Sequence, residues 1–263
     1  MERLHFDSVN SPSKEANCDK HGAYTAKGFQ IVAGGRMLWT HCPGCEQDRK
    51  DEEEKEKAAA KAAWEKQKWD ELLGRSCIPK RFIEKTFETF VCKNDVQKNA
   101  LEVSKSFAEQ FQQHAAKGTG LIFLGKPGTG KSHLAAAIIQ KLMPDYFGLY
   151  TTVGECIRAV RETWRRDSEQ TERQVLNYFI YADLLVLDEV GVQYGTEGEK
   201  TVLFDILDGR YREMMPTILM GNVTAKELKD YIGERAADRL REINTAILFD
   251  WASYRTQARK DAE

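Results

Sequence analysis

The sequence predicts an α/β fold: a parallel five-stranded sheet flanked by helices, preceded by a small cysteine-bearing segment and a charged helix. Three observations predict it. From about residue 76 onward, short apolar runs alternate with longer helical stretches, the pattern of parallel strands joined by crossover helices. One of these runs, Gly120-Leu121-Ile122-Phe123-Leu124, leads into Gly125-Lys126-Pro127-Gly128-Thr129-Gly130-Lys131-Ser132, a complete phosphate loop of the form G-x-x-x-x-G-K-[ST], and a helical stretch follows at once. Near the N-terminus, Cys18-x₂-His21 and Cys42-x₂-Cys45 have the spacing of two metal-binding knuckles.

Composition bounds the function. At 263 residues the chain fits one medium domain with a smaller appendage. A formal net charge of −2 excludes a bulk polycation, so nucleic-acid contact has to come from a local patch. No stretch reaches the ~20 apolar residues of a membrane span. The opening residues Met1-Glu2-Arg3-Leu4-His5-Phe6-Asp7 lack the apolar core of a signal peptide. The expectation is a cytoplasmic protein without a membrane partner, whose six cysteines are free thiols or metal ligands.

The elements follow in order. Residues 1–46 read as a zinc-ribbon-like domain. Between the knuckles, Gly28-Phe29-Gln30-Ile31-Val32-Ala33 and Arg36-Met37-Leu38-Trp39 flank Gly34-Gly35, a hairpin signal. Cys18, His21, Cys42 and Cys45 can close a tetrahedral Zn²⁺ site, and four protein ligands leave no open position, so the metal is expected to be structural. His41, adjacent to Cys42, is the poorer ligand by geometry. Cys77, Cys92 and Cys156 are isolated and read as buried thiols. Residues 47–75 read as a charged helical connector, with opposite charges at helical spacing and Trp64, Trp69, Leu72 and Leu73 gathered at its end. Residues 76–263 form the third zone, opened by Pro79. Strands are predicted at 120–124, 147–151, 183–188, 216–221 and 245–250. Helices are predicted near 94–116, 131–142, 154–167, 170–180, 197–213 and 225–241.

The chemistry gathers on this third zone. The loop glycines let backbone N–H groups wrap a polyphosphate, Lys131 reaches the terminal phosphates, and His133 opens the following helix, whose N-terminus adds partial positive charge. The chain is therefore expected to bind a nucleoside triphosphate, with the Ser132 hydroxyl on Mg²⁺. Fifty-seven residues after Lys131, Leu184-Leu185-Val186-Leu187 ends in Asp188-Glu189. The first acid suits Mg²⁺ and its waters, the second an attacking water. Asn222, after the strand Thr217-Ile218-Leu219-Met220, either holds that water or is a turn residue. Arg235 and Arg239 lie four apart on one helical face, which suits a neighbouring subunit's γ-phosphate or surface pairing with Glu234 or Asp238. Arg158, Arg161 and Arg165, with Trp164, form a second basic face, suited to single-stranded DNA by phosphate contact and base stacking, or else solvated.

Leu184–Gln193, Gly233-Glu234-Arg235 with Asp238-Arg239, and Phe249-Asp250-Trp251-Ala252-Ser253-Tyr254-Arg255 resemble the DnaC-like replicative helicase loaders. Ile78-Pro79-Lys80-Arg81-Phe82 resembles the opening segment that this family shares with its IstB-like relatives. The resemblance covers about residues 76–257 and implies an AAA+ ATPase that assembles with its own copies. It further implies that the protein loads a hexameric DnaB-type helicase onto single-stranded DNA at replication initiation. It makes Asn222 sensor 1, Arg239 the arginine finger with Arg235 just before it, and Arg255 a sensor-2-like arginine. The N-terminal ribbon departs from the family and suggests a phage-type loader. The alternative is an IstB-like transposition helper acting on a transposase.

Overall fold

The computed structural model describes residues 12–30, 35–192 and 196–254. The chain divides into two compact units, Met1–Lys66 and Gln67–Glu263.

In the first unit, β1 (Ser13–Cys18) pairs antiparallel with β2 (Gly22–Phe29), from Ser13↔Lys27 to Cys18↔Gly22. A short β3 (Leu38–Trp39) adds to β2 through Gly28↔Trp39 and Phe29↔Leu38. The expected hairpin is thus the β2–β3 half of a three-stranded sheet, with turn residues 31–34 outside the described residues. β1 has no counterpart in the sequence reading. Its residues are mostly polar, and it is a strand because β2 offers a partly buried edge, with Ala26 inside and the Lys14 ammonium over the Trp39 ring. Helix α1 (Pro43–Arg75) starts four residues earlier than expected and carries the i,i+4 pairs Lys50–Glu46 and Arg49–Glu53. The side chains of Trp64, Trp69 and Leu72 lie outside the described residues.

The second unit is built on a parallel sheet ordered β5-β6-β7-β4-β8. Its strands are β4 (Gly120–Gly125), β5 (Gly148–Thr152), β6 (Leu184–Asp188), β7 (Thr217–Gly221) and β8 (Asn244–Phe249), each bound within one residue of the sequence expectation. Side chains alternate between two cores, because helices cover both faces. One core takes Leu121, Phe123, Tyr150, Val186 and Met220 against α4 (Lys131–Leu142). The other takes Ile122, Leu149, Leu185, Leu187 and Leu219 against α5 (Val153–Glu162), α6 (Glu172–Ile180), α7 (Glu197–Arg212), α8 (Ala225–Ile232) and α9 (Glu234–Ile243). Helices α5, α6, α7 and α8 each start with a reciprocal capping box, Thr152/Glu155, Thr171/Gln174, Thr196/Glu199 and Thr224/Glu227.

Four expectations are corrected. The helix expected at 94–116 breaks at Gln110 into α2 (Asp95–Glu109) and α3 (Phe111–Lys117), which seats Phe107 and Phe111 edge-to-face in the core, ring centroids 5.8 Å apart. The helix expected at 225–241 breaks at Gly233, whose φ of 86° and ψ of 156° only glycine adopts at ease. Helix α5 stops at Glu162, where the Thr163 hydroxyl donates to the Val160 carbonyl at 2.6 Å. Of the three isolated thiols only Cys156 is buried; Cys92 is half-buried, and Cys77 is exposed in a turn with φ 55°.

Arg210 ties the strand starts together. It is 1% exposed, and Nη1 donates to the carbonyls of Phe179, Ile180 and Ala182 at 2.7–2.9 Å. Nη2 donates to Pro216 O and Nε to Thr217 Oγ1. An apolar replacement strands several buried acceptors. Arg210→Leu is expected to cost about 3 kcal/mol or more in urea unfolding monitored by circular dichroism; a loss under about 1 kcal/mol would contradict this role.

Candidate functional site

The end of β4 turns into the phosphate loop, and α4 begins at its last glycine. Gly130 has φ 101°, and a Cβ there would come within 2.5 Å of Phe90 Cε2, so glycine is required twice over. No side chain caps α4, which leaves its first N–H groups facing a cavity of about 470 Å³. Pro127 to His133, Asp188, Glu189 and Asn222 line that cavity, with Arg81, Phe82, Lys85, Phe90 and Val91 on its other wall.

Lys131 is 7% exposed, and its ammonium donates to the carbonyls of Gly125 at 2.9 Å and Lys126 at 2.7 Å. Burial pushes its pKa down to about 8, against the pull of the Asp188 charge. Thr129 Oγ1 donates to Lys126 O at 2.8 Å. The end of β8 and the chain after it run along the loop. Phe249 O accepts from Lys126 N at 3.0 Å, Trp251 Nε1 donates to Thr129 O at 3.0 Å, and Tyr254 N donates to Gly128 O at 2.9 Å. Lys126 also pairs with Asp250.

Ser132 Oγ donates to Asp188 Oδ2 at 3.2 Å, and Glu189 N donates to Asp188 Oδ1 at 2.7 Å. Tyr150, unmarked in the sequence reading, donates its hydroxyl to Asp188 Oδ2. Glu189 is exposed on the cavity and sits at φ 60°, an uncommon conformation for a residue with a side chain. Asn222 is exposed on the same cavity. His133 turns toward the other wall, where Nε2 donates to Thr86 O at 2.8 Å and its ring meets Phe90 edge-on at 5.2 Å.

These residues fit a triphosphate with its metal. A buried ammonium resting on neutral carbonyls and an uncapped helix N-terminus suit polyphosphate oxygens, and a hydroxyl–carboxylate pair suits a hard divalent cation.

The remaining expected residues lie elsewhere. Arg239 is in a small cleft with Asp208 and Tyr211, ion-paired to the former and stacked on the latter at 5.0 Å, and not with Glu234 or Asp238. Glu234 pairs with Lys229. Arg235 is exposed beside the Phe204 ring. Arg255 lies outside the described residues. The basic face is smaller than expected. Arg158 and Arg161 share α5, but Arg165 falls in the turn beyond it and pairs with Asp167. Arg161 pairs with Glu199 at 3.5 Å, and Trp164 Nε1 donates to Glu172.

In the first unit Cys18, His21, Cys42 and Cys45 converge, with one donor atom from each lying within 4.8 Å of the others. Cys18 Sγ is 3.4 Å from Cys45 Sγ, and His21 Nδ1 is 3.4 Å from Cys45 Sγ and 3.8 Å from Cys18 Sγ. Ligands around one tetrahedral ion stand roughly 3.3–3.8 Å apart. Backbone N–H groups of Lys20 and His21 pull the Cys18 thiol down to about 6, and its neighbour Cys45 is pushed up. A Cβ at Gly44 would fall 2.6 Å from His21 Cγ, so the second knuckle needs glycine to admit the imidazole. Behind the ring, Asp48 Oδ2 lies 3.2 Å from His21 Nε2 and also takes Lys20. The cluster can hold a metal ion.

Comparison with known proteins bears on the second unit. The family "IstB-like ATP binding protein" matches residues 59–262. The replicative helicase loader DnaC of Buchnera aphidicola subsp. Schizaphis graminum is 35% identical over 196 residues, 74% of this chain and 78% of that one. The replicative helicase loader DnaC of Escherichia coli K12 is 38% identical over 174 residues, 65% of this chain and 69% of that one. A crystal structure of the DnaC helicase loader superposes with a TM-score of 0.59 at 23% identity, covering 65% of this chain and 99% of the other, which bears out the fold.

The Lys131 ammonium gives a prediction with a definite sign. A polyphosphate raises a pKa that starts near 8, so binding is expected to take up protons above pH 8 and almost none below pH 7. Calorimetry at pH 8.5 in buffers of different ionisation heat reads this uptake. Lys131→Met is expected to abolish it, and binding without uptake at pH 8.5 would contradict the assignment.

Proposed function

The chain belongs to the IstB-like ATP-binding family, and on that premise we propose that it is an AAA+ ATPase that loads a DnaB-type replicative helicase onto single-stranded DNA. The observation that carries this is the 35–38% identity to replicative helicase loaders over the unit that holds an intact phosphate loop and the Ser132–Asp188 pair.

Lys131 exchanges its two carbonyl partners for phosphate oxygens. Ser132 and Asp188 hold Mg²⁺, which, when bound, neutralises charge on the β- and γ-phosphates. The Glu189 carboxylate accepts a proton from the attacking water, and Asn222 orients that water. Gly125 to His133 supply the cradle. Arg239, from a neighbouring copy, offsets transition-state charge once it leaves Asp208, with Arg235 beside it. From the family resemblance, Arg255 contacts the nucleotide from the C-terminal segment. Arg158 and Arg161, with Arg165 at the helix end, contact DNA phosphates. Residues 1–46 form a ribbon around a structural Zn²⁺ held by Cys18, His21, Cys42 and Cys45, residues 47–75 a connector, and residues 76–263 the ATPase. The protein acts in the cytoplasm; among the described residues no helix is long and apolar enough to cross a membrane. The second reading, a transposition helper, rests on the IstB-like family match.

A loading assay separates the two. With a replicative helicase and a single-stranded circle, helicase activity on the circle is expected to require this protein and ATP. Glu189→Gln is expected to keep ATP bound and slow turnover by about a hundredfold. Capture of a transposase, with no effect on any replicative helicase, would favour the second reading.

For the metal, elemental analysis of the full chain is expected to find about one Zn²⁺, lost in Cys42→Ser and in Cys45→Ser. Asp48→Asn is expected to weaken zinc affinity by about tenfold, since the carboxylate fixes the His21 ring. Metal-free protein with an ordered N-terminal unit would sink the zinc assignment.

A further inference from the structure

Asp188 is held from three directions, and one of its partners belongs to neither the phosphate loop nor its own strand. β5 lies beside β6 in parallel register, Thr152↔Asp188 and Tyr150↔Val186, so Tyr150 and Asp188 rise from the same face of the sheet. Tyr150 is 3% exposed, packed with Val186 and Phe123 in the core beneath α4. Its ring fills that core as a phenylalanine would; only the hydroxyl reaches a polar atom, Asp188 Oδ2. The same oxygen accepts from Ser132 Oγ, while Oδ1 accepts from Glu189 N.

We infer that Tyr150 is a positioning residue for the divalent cation: its hydroxyl holds the Asp188 carboxylate turned toward Ser132, so that the pair offers a fixed oxygen set to Mg²⁺. The inference rests on the ATPase reading above. A carboxylate with one free torsion at its end can swing out of the cavity when Ser132 releases it. The Tyr150 donation prevents that, because the phenol is anchored by core packing and cannot follow. Burial and the adjacent Asp188 charge both push the phenol above its ordinary value. Partners that orient a metal ligand carry a large share of metal affinity although they never touch the metal.

Tyr150→Phe removes the hydroxyl and keeps the ring. Binding of a fluorescent ATP analogue is titrated with Mg²⁺ and, separately, measured in EDTA. The Mg²⁺ midpoint is expected to rise about tenfold, with affinity in EDTA unchanged within about twofold. In turnover, KM for ATP at saturating Mg²⁺ stays near the parent value and kcat falls only when Mg²⁺ is limiting. An unchanged Mg²⁺ midpoint overturns the proposal, and so does an equal loss with and without Mg²⁺, which marks general damage to the pocket. Lys131→Ala tests the underlying reading separately. It is expected to lose binding in both arms, and tight binding in EDTA by that variant would refute the phosphate site and leave the Tyr150 result to be read by itself.

Discussion

The contact from Ser132 Oγ to Asp188 Oδ2, 3.2 Å across 56 residues of sequence, depends on the whole sheet. Ser132 opens the helix after β4, and Asp188 ends β6, yet β7 lies between these two strands. All the strands must point the same way for their C-terminal ends to share one edge. That condition forces every connection to cross over a face of the sheet, and those crossovers are the helices that bury Leu121, Val186, Leu185 and Leu187 on opposite sides. The site and the core thus follow from one constraint. A strand reversed to antiparallel would move Asp188 to the far edge and separate it from the loop.

What was legible in the sequence was what is local in the chain. The phosphate loop is eight consecutive residues, and the two knuckles each span four, so their chemistry is written in adjacent letters. Strands β4, β6 and β7 were legible because each is buried along nearly its whole length and reads as an apolar run. Helix ends were harder. Helical periodicity continues through Gln110 and Gly233, and only the backbone geometry reveals the breaks. The Thr-x-x-Glu/Gln pattern would have fixed the starts of α5 to α8. Tyr150 and Asp48 went unmarked for another reason. A tyrosine inside Gly148–Thr152 reads as core, and an aspartate in a charged helix reads as surface. Their roles arise from partners 38 and 27 residues away.

The first unit shows why a staple is needed. Its sheet is three strands, one of them two residues long, and Ala26, Gly28 and Cys42 supply most of its described buried side. The first knuckle closes the β1–β2 turn, and the second sits at the start of α1, so an ion held there would tie the sheet to the helix. Structural zinc in small domains contributes on the order of 10 kcal/mol, more than this core supplies by burial.

In the phosphate loop, what is fixed and what is exchangeable are separate. Lys126 N, Gly128 O and Thr129 O are bound by Phe249 O, Tyr254 N and Trp251 Nε1, from the end of β8 and the segment after it. These bonds use backbone groups that a polyphosphate does not need, so they shape the loop before any ligand arrives and survive its arrival. The exchangeable contacts are the two from the Lys131 ammonium to Gly125 O and Lys126 O and the one from Ser132 to Asp188. Each of these is a placeholder of lower charge than the group that would displace it: carbonyl for phosphate, carboxylate for metal. Preorganisation therefore resides in the β8 contacts, while the free-energy difference that drives ligand binding resides in the lysine and the serine. The Tyr150 and Glu189 N contacts to Asp188 fall on the fixed side of that division, which keeps the carboxylate in place while its serine partner changes.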